Sequence, residues 1–148
     1  ARMEPVSLQS VLDESAAEAL AIHPGVGWDN KVPANVQVNA DPDHLHRIIS
    51  NLVRNAAEAM APQAEGGSRI IASLSPQGLD LADTGPGLPD SARENLFKPF
   101  AGSSRSSGTG LGLVIARELA QGMGGDLVLA STGPGGTVFR LSLPGLGA

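Results

Sequence analysis

Asn51 and Asn55 stand four residues apart in a run whose apolar residues recur every three or four positions, so on a helix their amides share one side. Asparagine is a mediocre helix former because its side chain competes for backbone hydrogen bonds. Two of them at the edge of an apolar stripe are either a polar flank or oxygen ligands for a hard cation. Magnesium fits the second reading, because it takes oxygen donors, retains water and is completed by substrate phosphates. Asp83 opens the string Asp83-Thr84-Gly85-Pro86-Gly87 directly after a β-like run. A carboxylate there can accept a hydrogen bond from a flat donor such as an adenine amino group, while the glycines let the backbone close on a ring. The same letters also spell an ordinary turn. Gly108-Thr109-Gly110-Leu111-Gly112 opens a third candidate site ahead of an amphipathic run. Backbone N–H groups and the positive end of a helix favour an anion at such a place. A Ser-rich stretch precedes this string where a dinucleotide fingerprint needs a strand, the spacing is GxGxG, and no GxxxxGK[ST] loop occurs. Each string alone is weak.

These residues need elements to hold them. Asp41-Pro42 is a helix start, an N-cap followed by proline at the first helical position. Leu45, Ile48, Ile49, Leu52, Val53, Ala56 and Met60 then form a broad apolar stripe to the stop at Ala61-Pro62, and a polar loop covers 62–68. Ser7 caps a helix expected over 8–21, after an extended entry, with Leu8, Val11, Leu12, Ala16 and Ala19 near one face. Residues 26–39 read as two short strands broken by Pro33. Residues 69–75 and 79–82 pair as a hairpin about Pro76-Gln77-Gly78, and 91–96 form a short helical turn. A helix over 111–123, capped by Gly124-Gly125, precedes strands at 126–130 and 137–143 joined by a glycine turn. Strands interleaved with three main helices imply an α+β layer of helices on one sheet face.

Composition narrows the class. A chain of 148 residues suits one domain, and that size buries about 68–70% of the unfolded chain's surface. Only one Trp and three Phe are present, with no Tyr, so the core must be aliphatic. The net charge of −5 and the absence of any Lys/Arg run argue against nucleic acid as a partner. The absence of Cys removes disulfides and thiolate-bound zinc. No apolar stretch approaches the roughly 20 residues of a membrane span, and no signal-peptide pattern opens the chain, which makes a cytoplasmic location the expectation and direct membrane contact unexpected.

The order of the strings is more telling than any one of them. Asn-x-x-x-Asn on a helix, Asp-x-Gly-x-Gly, Phe-x-x-Phe at Phe97 and Phe100, then Gly-x-Gly-x-Gly opening a helix resembles the boxes of histidine-kinase ATP-binding domains. That family belongs to the wider GHKL group with the ATP-binding part of DNA gyrase, the MutL repair proteins, the heat-shock chaperone of that fold and the anti-sigma-factor kinases. Asn51-Leu52-Val53-Arg54-Asn55-Ala56-Ala57-Glu58-Ala59-Met60 is similar to the nitrogen-sensor branch, and the likeness extends over residues 4–144. It implies the Bergerat fold: a two-layer α/β sandwich whose mixed, mostly antiparallel sheet is covered on one face by about three helices, with an ATP lid over 98–109. It also implies ATP and Mg2+ as ligands. By the resemblance, Asn55 ligates magnesium beside Asn51, Asp83 binds the adenine amino group, and Gly85 and Gly87 shape the adenine pocket. Gly108, Thr109, Gly110, Leu111 and Gly112 admit the phosphates, Phe100 and Phe97 anchor the lid, and Thr137 holds a water beside Asp83, while Arg105 either contacts phosphate or is an exposed loop arginine. Many members carry a basic residue where this chain has Glu58, so charge neutralisation here leans on magnesium, backbone amides and Arg54.

The resemblance also sets the reaction. Gyrase-like and MutL-like relatives place a glutamate, as general base for water, where this chain has Asn51, and an amide takes no proton at neutral pH. Transfer to a presented nucleophile is therefore expected. A kinase acceptor histidine precedes an acidic residue, whereas His23, His44 and His46 precede Pro24, Leu45 and Arg47 and read as solvated surface groups. No residue of this chain is expected to be the phosphoacceptor. The expectation is a single catalytic domain over 1–148, a protein-histidine kinase fragment. It would act on a dimerisation and histidine-phosphotransfer domain N-terminal to it in a dimeric parent, which in turn serves a response-regulator receiver domain. The parent could itself be anchored in a membrane. The alternatives are an ATP-dependent pseudokinase switch and a serine-directed anti-sigma kinase.

Overall fold

A computed structural model of the chain describes residues 1–60, 67–98 and 112–146. Phe100, Arg105, Gly108, Thr109, Gly110 and Leu111 lie outside the described residues, as do 99–109 of the expected lid and most of the loop expected after Met60.

The long helix α2 (Pro42–Met60) organises the rest. The Asp41 carboxylate caps it, with Oδ1 accepting from the Asp43 N–H at 3.0 Å and the His44 N–H at 3.2 Å. Leu45, Ile48, Ile49, Leu52, Val53 and Met60 are buried along it. One expectation shifts by a residue: Ala57 completes the buried stripe, while Ala56 is half-buried and turns toward a cleft. Helix α1 (Leu8–Ala19) packs beside α2 and ends two residues before the expected stop. Its Ser7 cap accepts from the Ser10 N–H. Helix α4 (Gly112–Gly122) also packs against α2, and a single turn, α3 (Asp90–Glu94), precedes it in the chain.

Under the helices lies a five-stranded sheet in the order β2–β4–β5–β7–β6. Its strands are β2 (Gly27–Asn30), β4 (Arg69–Ser75), β5 (Gly78–Asp83), β6 (Asp126–Gly133) and β7 (Gly136–Ser142). All neighbouring pairs are antiparallel except β2 with β4. The extended entry is itself a strand, β1 (Glu4–Ser7), paired with β3 (Gln37–Ala40) in a separate two-stranded sheet. The two strands expected around Pro33 thus belong to different sheets, a long-range pairing that local pattern does not report.

Ile70, Ala72, Leu79, Leu81, Leu127 and Leu141 are buried, and registered neighbours across the sheet share its helix-covered side. The largest fully buried side chains are all aliphatic or Met; Trp28, Phe97 and Phe139 sit at the margin. The histidines are less free than expected. His46 is wedged between helices, Nδ1 2.9 Å from the buried Ser15 hydroxyl and Nε2 3.1 Å from the Glu18 carboxylate, so it ties α2 to α1.

Because Ile48 is fully enclosed between helices and sheet, Ile48→Ala is expected to lower the unfolding free energy by about 2–5 kcal/mol in urea denaturation.

Candidate functional site

Burying one stripe of α2 dictates where its other side points. Asn55, Ala56 and Ala59 line an open cleft. Pro86, Gly87 and Leu88 of the loop after β5 form a wall, sheet residues Asp83, Thr137 and Phe139 the floor, and Leu96 and Leu113 complete the lining. The structure therefore brings Asn55, Asp83, Gly87 and Thr137 onto one cavity.

Asp83 ends β5 and is registered opposite Thr137 of β7. Its Oδ1 accepts from the Gly85 N–H at 2.9 Å and the Thr137 N–H at 3.3 Å. Both bonds fall on the same oxygen, and among the described residues none donates to Oδ2, which leaves an acceptor for a ligand. Burial raises the Asp83 carboxyl above the usual range for an aspartate, and the two backbone donors oppose that rise. Gly85 is tight for a different reason, since a Cβ there would sit 3.0 Å from Met60 Cγ and 3.1 Å from Asp83 Oδ1. At Gly87, φ is +86° and a Cβ would strike the Gly133 carbonyl, so the loop after Asp83 lies directly on the β6–β7 hairpin.

The two asparagines differ in use. Asn51 Nδ2 donates to the Gly112 carbonyl at 3.2 Å, and its Oδ1 accepts from Arg54 at 3.3 Å. It fastens α2 to the start of α4. The Asn55 side chain has no hydrogen bond among the described residues and faces the cleft, with Gly112 beside both amides. One free amide oxygen is a sparse donor set. It fits a magnesium ion that retains water and takes the rest of its shell from phosphate, and no cluster of three or more His, Cys, Asp or Glu exists among the described residues to hold a metal without such help. Glu58 has one buried carboxylate oxygen without a partner. Phe97 is held by Arg117, whose guanidinium lies 4.7 Å from the ring centroid and is itself bonded to Asp126 at 3.0 Å.

Sequence reasoning missed Thr132. Its hydroxyl lies 2.8 Å from that of Thr137 and accepts from the Leu88 N–H at 2.9 Å. Its signal is a strand register, invisible without the fold.

A family model described as histidine kinase-, DNA gyrase B- and HSP90-like ATPase matches residues 40–146. The C4-dicarboxylate transport sensor protein DctS of Rhodobacter capsulatus is 34% identical over 144 residues, covering 90% of this chain and 22% of its own length. The sensory histidine kinase/phosphatase NtrB of Klebsiella oxytoca is 37% identical over 125 residues, covering 76% of this chain and 35% of its own. The chain thus spans between about a fifth and a third of these curated relatives. Among solved structures, the mycobacterial sensor histidine kinase MprB superposes with a TM-score of 0.74 at 28% identity, covering 95% of this chain and 97% of that one.

A raised carboxyl pKa makes the native state bind protons more readily than the unfolded chain. The stabilisation this gives is complete below the ordinary Asp value of 3.8 and is lost as pH rises through the higher native pKa. At neutral pH the ionised Asp83 carboxylate is therefore unfavourable to the fold. Asp83→Asn, which keeps an acceptor for both backbone donors, is expected to melt at or above the wild-type temperature at neutral pH. A melting point several degrees lower in calorimetry would contradict this.

Proposed function

The chain belongs to the histidine kinase-, DNA gyrase B- and HSP90-like ATPases, and from that premise we propose that it binds Mg-ATP in the cleft between α2 and the Asp83 loop for transfer to a histidine. It is an ATP-binding catalytic domain of the sensor histidine kinase type. The acceptor histidine would lie on a separate dimerisation domain, N-terminal in the parent, which passes the phosphoryl group to a response-regulator receiver domain. No helix among the described residues is long and apolar enough to cross a membrane.

The observation that carries the reading is the shared cavity of Asp83 and Asn55. On this reading Asp83 Oδ2 accepts from the exocyclic amine of adenine, Pro86, Gly87 and Leu88 cover the ring, and Thr137 holds a water beside the carboxylate. Asn55 Oδ1 would ligate the magnesium ion, which neutralises phosphate charge. Gly112, at the start of α4, is proposed to meet the phosphates, with Gly108, Thr109, Gly110, Leu111, Arg105 and Phe100 completing their enclosure.

Asn51 disfavours hydrolysis. Its amide is bonded to Gly112 and Arg54 and has no basic atom to take a proton from water. Transfer then needs an external nucleophile: an imidazole nitrogen bonds to the γ-phosphorus, the bond to the β–γ bridging oxygen breaks, ADP leaves and the imidazole proton passes to solvent. Positioning and charge neutralisation supply most of such catalysis.

With Mg-ATP and a supplied dimerisation domain bearing the acceptor, the chain is expected to produce acid-labile phosphohistidine. Intact ATP binding without that product refutes transfer, and acid-stable phosphate would identify a hydroxyl acceptor. In calorimetry, Asp83→Asn should weaken ATP at least tenfold, and Asn55→Ala should abolish the gain in affinity that magnesium provides. Unchanged affinity, or an unchanged magnesium titration, would remove the corresponding assignment.

A further inference from the structure

We infer that Thr132, at the end of β6, is a positioning residue for the nucleobase, setting the adenine-side wall through Leu88 and the hydroxyl of Thr137; this rests on the proposed purine site.

A row of side chains crosses three strands at the end of the sheet. Asp83 of β5 is registered opposite Thr137 of β7, and Thr137 opposite Thr132 of β6. The row depends on an irregularity. Leu129 pairs with Phe139, but Ser131 pairs with Val138, so one extra residue, Ala130, is accommodated in β6. Regular pairing would put Ser131 opposite Thr137. The bulge advances the strand by one and brings Thr132 there instead, as bulges do where a side chain must be re-aimed.

Once there, the Thr132 hydroxyl has two partners. It accepts from the Leu88 N–H at 2.9 Å and shares a hydrogen with the Thr137 hydroxyl at 2.8 Å. Leu88 and Thr137 both line the cleft, and Thr137 is 4% exposed. The loop from Asp83 to Leu88 is thereby held at three points on the β6–β7 hairpin. These are the Thr137 N–H on Asp83, the close approach of Gly87 to Gly133, and Thr132 on the Leu88 N–H. Thr132 alone among these contacts supplies a side-chain hydroxyl to both the wall and the floor of the cavity. One of its acceptor sites is taken by Leu88, so the hydrogen it shares with Thr137 restricts which way the Thr137 hydroxyl can point beside Asp83. Removing the hydroxyl leaves the Leu88 N–H without its partner and frees Thr137 to reorient, a change on the base side of the site and not on the phosphate side.

The test uses the whole chain and three nucleotides, ATP, ADP and GTP, by calorimetry with magnesium. Thr132→Val, which keeps the shape and removes the hydroxyl, is expected to raise the Kd for ATP and for ADP by about tenfold each and to narrow the ATP-over-GTP preference. Thr132→Ser should stay within about twofold of wild type on all three. Hydrogen exchange at the Leu88 amide should speed up about tenfold in Thr132→Val, with the Leu127 and Leu141 amides unchanged. Thr132→Val affinities within twofold of wild type overturn the inference, as does a loss confined to ATP with ADP unaffected. Should Thr132→Val fail to fold, the wild-type chain decides: a Leu88 amide that exchanges freely with ATP bound overturns it, and a protected one supports it. Failure of the wild-type chain to bind ATP would instead remove the purine site itself.

Discussion

The rotation of α2 about its own axis is the constraint on which the site depends. A helix advances about 100° per residue, so burying Leu45, Ile48, Ile49, Leu52, Val53 and Met60 against sheet and neighbouring helices leaves its orientation no freedom. Asn55 must then face the cleft, and Asn51 must meet the start of α4. Turning the helix by one residue would bury the amides without partners and expose the stripe. The hydrophobic core thus aims the polar groups, and the stability of the fold and the geometry of the site share one origin.

Opposite α2, the site is built from the end of a sheet. A strand end is where backbone leaves the ladder and where a carboxylate can sit under cover without competing for ladder bonds. Asp83 occupies that place, half-buried, with two backbone donors on one oxygen. The donors compensate part of the burial cost, and none among the described residues reaches the second oxygen. The protein tolerates an unfavourable charge, which a hydrogen-bond donor on the proposed ligand would relieve. Gly87 and Thr132 hold the adjoining loop by different means, close backbone approach and a side-chain hydrogen bond.

The two asparagines of one motif have separate physical roles. Asn51, spent on Gly112 and Arg54, is a brace between helices; Asn55, with its amide unengaged by the described residues, is the group that can meet a ligand. A likeness at both positions would not by itself separate brace from ligand. Glu58, near Asn55 on the same helix, keeps one carboxylate oxygen buried and unpaired.

What the sequence determined by itself was everything encoded locally. The Asp41-Pro42 start, the α2 stripe, the hairpin about Gly78 and the order of asparagine, aspartate and glycine strings follow from periodicity, capping and turn chemistry, all of which act over a few residues. Those signals sufficed for the fold class and for the family. The tertiary structure alone decided what depends on register and on distant partners. It put β2 and β3 into different sheets, engaged His46 with Ser15 and Glu18, and turned Ala56 out of the core. It also set Thr132 opposite Thr137 through one bulged residue. A strand repeats every two residues, so a single insertion reverses which side chain faces the site, and the energies that choose the register come from residues far away in the chain.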